Sequence, residues 1–251
     1  MESVKEAKDS IRRRIWEIME NKGIAAFPRP VYGRIPNFIG AETAARNLLK
    51  LKFIRKASVV KVNPDSPQKP VRELILKMGI KLLMPSPRLR SGFILLDPLK
   101  IPKSKISKAS TIRGAFTYGE PIELKNIPKV DVIIIGSVAV TREGYRIGKG
   151  GGYSELEYAI LREVKAVSAD TPIITTIHEV QLVDEVPHED HDVPVDYIVT
   201  PKRIIGVVPK KPKPSGIIWS KITNKMITSM PILAELKKHL ENSNKITERN
   251  S

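Results

Sequence analysis

Between residues 58 and 208 the chain alternates short runs rich in Val and Ile with stretches of helical periodicity. The apolar runs cover residues 58–62, 80–84, 131–140, 173–177, 197–200 and 204–208. Runs of that length suit strands covered on both faces, and a helix between two of them supplies the crossover that a parallel pair needs. The expectation is a three-layer α/β fold, a mainly parallel sheet with helices on both faces. Helices are expected at 41–52, 71–78, 155–166, 231–240 and 4–19, where Val4, Ala7, Ile11, Ile15, Ile18 and Met19 share a face and Gly23 ends the pattern. Residues 27–38 carry too many prolines for a regular helix. Residues 95–128 show no clear period and are expected to be a partly ordered excursion able to cover a site. Residues 1–208 are assigned to the α/β domain. Residues 209–251 are read as a stiff basic Pro-rich linker, a terminal helix and a frayed polar tail.

The run at 131–140 leads into Arg146-Ile147-Gly148-Lys149-Gly150-Gly151-Gly152-Tyr153-Ser154-Glu155, where four of the chain's 15 glycines fall within five residues. Glycine frees the backbone to turn its amides inward around an anion, and the helix expected next favours negative charge at its N-terminus. No Gly-Lys-Ser/Thr closes the loop as in a P-loop, and its glycine spacing is not the dinucleotide fingerprint. A mobile surface connection is the plain alternative. The preceding strand, the following helix and the cations Arg146 and Lys149 favour phosphate. In such sheets ligands gather at the C-terminal ends of the strands, so the loop is expected at that edge.

Lys and Arg number 43 against 27 Asp and Glu, a formal charge of +16 that attracts polyanions: nucleic acid, nucleotides or a polyglutamylated small molecule. Aromatic residues, at 5%, leave few platforms on which bases stack. There is no cysteine, hence no disulfide and no thiolate metal site. Without a membrane-length apolar run or a signal-peptide core, the chain is expected in the cytoplasm. Lys8 and Arg12, four apart on the first helix, read from spacing alone as two exposed cations. Arg29, Arg34, Arg88 and Arg90 lie in Pro-rich loops that can aim guanidinium groups at a carboxylate or phosphate. The run Pro187-His188-Glu189-Asp190-His191-Asp192 matches no helical zinc motif and reads as a solvated acidic turn, although Asp190 or Asp192 would suffice for magnesium shared with phosphates. His178 reads as a satisfied core histidine, and no Ser-His-Asp arrangement stands out.

These pieces together resemble the 5-formyltetrahydrofolate cyclo-ligase (methenyltetrahydrofolate synthetase) family. Lys8-Asp9-Ser10-Ile11-Arg12 is similar to its N-terminal Lys-x-x-Leu-Arg, and Arg146 to Tyr153 to its Arg-Leu-Gly-x-Gly-x-Gly-Tyr. Gln181, Val186-Pro187 and His191-Asp192 are similar to its closing Gln…Pro…Asp. Phe27-Pro28-Arg29-Pro30, Pro87-Arg88-Leu89-Arg90 and Leu156-Glu157-Tyr158-Ala159 are closest to the branch of methenyltetrahydrofolate synthase domain-containing proteins. The resemblance implies a fold of the NagB/RpiA/CoA-transferase type and an ATP- and Mg-dependent reaction on a reduced folate. In it, the formyl oxygen of 5-formyltetrahydrofolate is phosphorylated, the neighbouring nitrogen attacks, and phosphate leaves to give 5,10-methenyltetrahydrofolate.

The same resemblance implies ATP binding by Lys8, Arg12, Arg146, Gly148, Lys149, Gly150, Gly151, Gly152 and Tyr153, with Arg146 and Tyr153 catalytic. It implies folate contacts from Arg88 and Tyr153, and magnesium at Glu155 and Asp192. Tyr153-Ser154-Glu155 stands where the family has Tyr-Tyr-Asp, so the carboxylate is kept on a side chain one methylene longer. The alternative, of another class, is a catalytically reduced relative that binds nucleotide or RNA through its basic surface; no membrane partner is expected, and the oligomeric state is open.

Overall fold

A computed structural model describes residues 3–249, with side chains described for residues 3–240. The helices are α1 (Val4–Asn21), α2 (Ala41–Asn47), α3 (Lys52–Lys56), α4 (Lys69–Lys77), α5 (Ile106–Ala109), α6 (Ile112–Tyr118), α7 (Tyr153–Glu163), α8 (Asn224–Ser229) and α9 (Pro231–Arg249). The strands are β1 (Val59–Val62), β2 (Lys81–Pro85), β3 (Phe93–Leu96), β4 (Glu120–Ile122), β5 (Val132–Ile135), β6 (Ala139–Thr141), β7 (Arg146–Ile147), β8 (Ile173–Thr176), β9 (Leu182–Val183), β10 (Tyr197–Val199) and β11 (Ile204–Gly206). Eight of them form one sheet in the order β11-β10-β8-β5-β1-β2-β3-β4. The run from β10 to β2 is parallel, as the alternation of strands and helices requires, and antiparallel strands extend both edges. β7, β6 and β9 form a small second sheet.

Alternation along the strands divides the core. Val60, Val62, Leu82, Ile134 and Ile174 pack with Val71, Ile75 and Leu76 of α4. Val59, Leu83, Ile133, Ile135 and Ile173 pack with Ile160 and Leu161 of α7 and with Leu233 and Leu236 of α9. Each such side chain contributes about 1.5–3 kcal/mol on leaving water. A third cluster seats Ile15, Trp16 and Met19 of α1 against Ala139 and Ile147 of the small sheet and Val138 just before it. That contact brings the first helix beside the glycine loop.

Four expectations change. The 41–52 helix breaks at Leu51, whose backbone is extended, and α3 follows it to bury Ile54. The 131–140 run is two strands, because the chain changes sheets at Gly136-Ser137; a Cβ on Gly136 would lie 2.9 Å from Ile35 Cγ2. Residues 95–128 are ordered rather than an excursion: Ile101, Ile106, Ala109 and Ala115 are buried while Lys100, Lys103, Lys105 and Lys108 stay exposed. Their elements are too short for a period to emerge. The last helix continues to Arg249, through most of the stretch expected to fray; residues 250 and 251 lie outside the described residues. The basic Pro-rich segment is fastened down, with Lys213 Nζ donating to Asp196 at 2.7 Å, and Ile217 behind it joins the core. No helix among the described residues is long and apolar enough to cross a membrane.

Candidate functional site

The loops that follow β1 and β2 at their C-terminal ends, residues 63–66 and 86–88, border the glycine loop, residues 148–152. The glycine loop starts from β7 of the small sheet rather than from the long central strand, and a 2.7 Å ion pair between Lys149 and Asp65 ties it to the end of β1. Asp65 is itself placed by Arg72, fully buried on α4. Arg72 Nη1 donates to the carbonyls of Asn63 and Asp65, and its Nε to that of Ser110 at 2.7 Å. Burial lowers the Arg72 pKa to about 10, still far above neutral pH, so the charge is kept.

Two glycines of the loop have positive φ: Gly150 at 100° and Gly152 at 67°, where any other residue would be strained. Gly152 is also the N-cap of α7, and no side chain caps that helix start. The loop lines a cleft of about 230 Å³ together with Lys8, Arg12, Asp65, Glu155, Glu189 and Asp192. Lys8, Arg12 and Lys149, three cations of this cleft, already have carboxylate partners. Lys8 Nζ lies 2.6 Å from Asp192 and 3.2 Å from Glu189. Arg12 lies 2.6 Å from Asp9, and its Nε donates to the Gly148 carbonyl at 2.7 Å. Lys8 and Arg12 are each only 7% exposed, which corrects the reading of two solvated cations; α1 turns that face onto the loop. Burial pushes the Glu189 carboxyl up, but Lys8, His191 and Lys221 outweigh it, and the group ends below the usual range.

Arg146 is not part of the cleft wall. Its guanidinium is buried beneath the loop, donating to Ser137 Oγ at 3.2 Å, to the Gly136 carbonyl at 2.9 Å and to Glu155 Oε1. With those donors engaged, it acts on the cleft through Glu155. Burial raises the Glu155 carboxyl, yet Arg146, with a backbone hydrogen bond and His191, more than offsets this and holds it below the usual carboxylate range. Glu155 and Asp192 line the same cleft, whereas Asp190 is exposed and outside it, and His188 stacks on Tyr145 at 4.3 Å. Among the described residues no three His, Asp or Glu side chains cluster as a metal cage. Two carboxylates in a cleft suit a hard cation that takes its other ligands from phosphates and water.

A second cavity, of about 460 Å³, shares Gly151, Tyr153 and Ser154 with the cleft and adds Arg34, Asn63, Ser86, Arg88 and Glu157. Arg88 and Leu89 both have left-handed backbone, φ 57° and 54°, a strained pair that turns Arg88 outward while Leu89 stays buried. Of the other Pro-rich arginines, Arg29 pairs with Glu20 instead, and Arg90 lies outside this cavity. At the base of the cavity Lys61 of β1 pairs with Glu157 of α7, both at least 97% buried. Asn63 Nδ2 donates to Glu157 at 3.1 Å and to Ser154 Oγ at 3.0 Å. Burial raises the Glu157 carboxyl above its ordinary value even with Lys61 beside it. Sequence reading missed Lys61, Asn63, Asp65 and Glu157. The available signal was a lysine in the middle of a short apolar strand whose four residues are all buried. His178 is partly exposed, its Nδ1 accepting the Val180 amide at 3.3 Å, so it is a turn-capping side chain and not a site residue.

The profile of the 5-formyltetrahydrofolate cyclo-ligase family matches residues 4–201. Methenyltetrahydrofolate synthase domain-containing proteins from Bos taurus and Homo sapiens are 45% and 44% identical to the chain over 95% and 92% of its length. The chain spans 64% and 61% of those two relatives. A solved structure of 5,10-methenyltetrahydrofolate synthetase from Aquifex aeolicus superposes with a TM-score of 0.52 at 22% identity, covering 81% of this chain and 94% of that one, which is a likeness of fold.

Proposed function

Because the chain belongs to the 5-formyltetrahydrofolate cyclo-ligase family, we propose that it uses ATP to close 5-formyltetrahydrofolate into 5,10-methenyltetrahydrofolate. The observation that carries the reading is one glycine loop serving two adjoining hollows, a cleft lined by cations and carboxylates and a larger cavity beyond Tyr153. A phosphoryl group handed from one substrate to another needs such adjacency, together with charge neutralisation rather than a protein nucleophile.

In this reading Lys8, Lys149 and the amides of Gly148 to Gly152 take the phosphates. Arg12 keeps the loop in shape through the Gly148 carbonyl, and Arg146 is a positioning residue for Glu155. Glu155 and Asp192 would hold magnesium, which when bound neutralises charge between phosphate oxygens. Tyr153, common to both hollows, would pack on the reacting end of the folate, and exposed Arg88 would receive its carboxylate tail. The formyl oxygen would then meet the terminal phosphate at the junction, and the neighbouring ring nitrogen would close on the activated carbon as phosphate leaves.

Purified protein with Mg-ATP is expected to consume ATP only when 5-formyltetrahydrofolate is present, while the methenyl chromophore grows in step. ATP turnover that ignores the folate would remove this substrate.

A further inference from the structure

A third hollow, of about 290 Å³, adjoins the cleft and shares Gly152, Glu155 and His191 with it. Its other walls are largely apolar: Leu156 and Ala159 from α7, and Ile217, Ile222 and Met226 from the C-terminal segment. That segment lies beyond the residues matched by the family profile, 4–201. It is nonetheless fixed to α7. The Ile217 amide donates to Glu163 Oε1 at 2.8 Å, and a Cβ on Gly216 would lie 2.4 Å from that same oxygen. Its polar side chains are Glu155 and His191, shared with the cleft, and half-exposed Lys221, whose Nζ lies 2.9 Å from His191 Nδ1.

We propose that this hollow is the slot for the purine base of the nucleoside triphosphate, built by residues 214–226. The proposal rests on the reading of the cleft as a triphosphate site. A triphosphate cradled by Gly148 to Gly152 continues, past Gly152 and Glu155, into the mouth of the hollow. In a nucleotide the triphosphate is joined to a sugar with polar edges, and the sugar to a flat ring with two apolar faces. The rim and the interior supply those surroundings in that order. The hollow's one lysine, Lys221, is engaged with His191, and the apolar interior beyond it offers the folate's anionic tail no further cation, whereas Arg88 stands at the other cavity. The slot makes the C-terminal segment part of the nucleotide site rather than an appendage.

The test compares Mg-ATP with Mg-tripolyphosphate, titrated into the full chain by calorimetry. Stacking and burial of one base are expected to make ATP bind about tenfold to hundredfold more tightly. Ala159→Leu and Ile222→Trp fill the slot and are expected to bring ATP down to the tripolyphosphate affinity, with tripolyphosphate unchanged. A second readout needs no substitution: the emission of 2-aminopurine riboside triphosphate is expected to be quenched on binding. Equal affinities for ATP and tripolyphosphate in the unmodified protein would overturn the slot and leave the cleft standing. So would a preference for ATP that survives in both variants, or a base whose emission does not change. If neither compound binds, the triphosphate reading falls and the slot with it.

Discussion

Replacing Lys61 with Met isolates a buried carboxylate with a known consequence. Lys61 and Glu157 are 1% and 3% exposed, so water screens neither, and removing one partner of such a pair costs about 3–5 kcal/mol. An independent bound agrees with that figure. Glu157 escapes the buried charge by taking a proton, and holding it neutral at pH 7 against an ordinary value near 4.3 costs about 3.7 kcal/mol. At pH 5 the same cost is about 1 kcal/mol. The sign comes from a folded-state pKa raised above the unfolded one. The penalty is absent below the unfolded value and grows as pH rises towards the folded one. Glu157 is already raised in the parent, which carries part of this cost, so urea unfolding of Lys61→Met is expected to lose no more than about 3–4 kcal/mol at pH 7 and no more than about 1 kcal/mol at pH 5. The double variant Lys61→Met/Glu157→Gln, which keeps the Asn63 hydrogen bond and removes both charges, is expected within about 1.5 kcal/mol of the parent at both pH values. A loss at pH 7 no larger than at pH 5 would refute the burial of the Glu157 carboxyl against Lys61 beneath the larger cavity.

Lys8→Ala is expected to weaken Mg-ATP binding about tenfold or more, the worth of a charge-assisted contact, and calorimetry reporting parental affinity would remove Lys8 from the site. Gly150→Ala should fold, since its Cβ would sit 3.5 Å from Arg12, an ordinary contact. At φ 100° an alanine is strained by about 1–3 kcal/mol, so the loop is expected to shift and nucleotide affinity to fall about tenfold; an unchanged affinity would show that the loop does not touch the ligand. Glu155 is held low, so its stabilising contribution is present above the ordinary carboxylate range and lost as pH falls through its lower folded value. Arg146→Met removes the strongest influence that lowers Glu155, leaving burial opposed only by a backbone hydrogen bond and His191. The melting temperature of that variant is expected to fall as pH rises from 5 to 7, and a profile parallel to the parent's would contradict the pairing.

Composition and periodicity reached the layered architecture because parallel strands, buried on both faces, need uninterrupted apolar runs separated by helices. They did not reach the break at Gly136-Ser137, since hydropathy is the same whether a strand continues or changes sheets. The glycine loop was legible from its density and its place before α7. The partners of its cations were not: Asp65 and Asp192 lie 84 and 184 residues from Lys149 and Lys8, and only tertiary packing joins them. Arg146 illustrates the reverse error. Its position beside the loop suggested a phosphate contact, but the same turn directs its guanidinium under the loop to Ser137 and Glu155.

The cleft's internal ion pairs make ligand entry an exchange. A phosphate that takes Lys8 must displace Asp192, and a carboxylate so released becomes a free ligand for a divalent cation. Metal and triphosphate would then each prepare the site for the other, a positive linkage that is reciprocal by necessity. Lys5, Lys8, Arg12 and Lys149 face Asp9, Asp65, Glu155, Glu189 and Asp192 around the cleft, so the +16 of the whole chain says less about affinity here than this local balance does. Nucleotide without metal would face the full cost of breaking the pairs. On the proposed reading, the loop would favour the metal complex over either half alone.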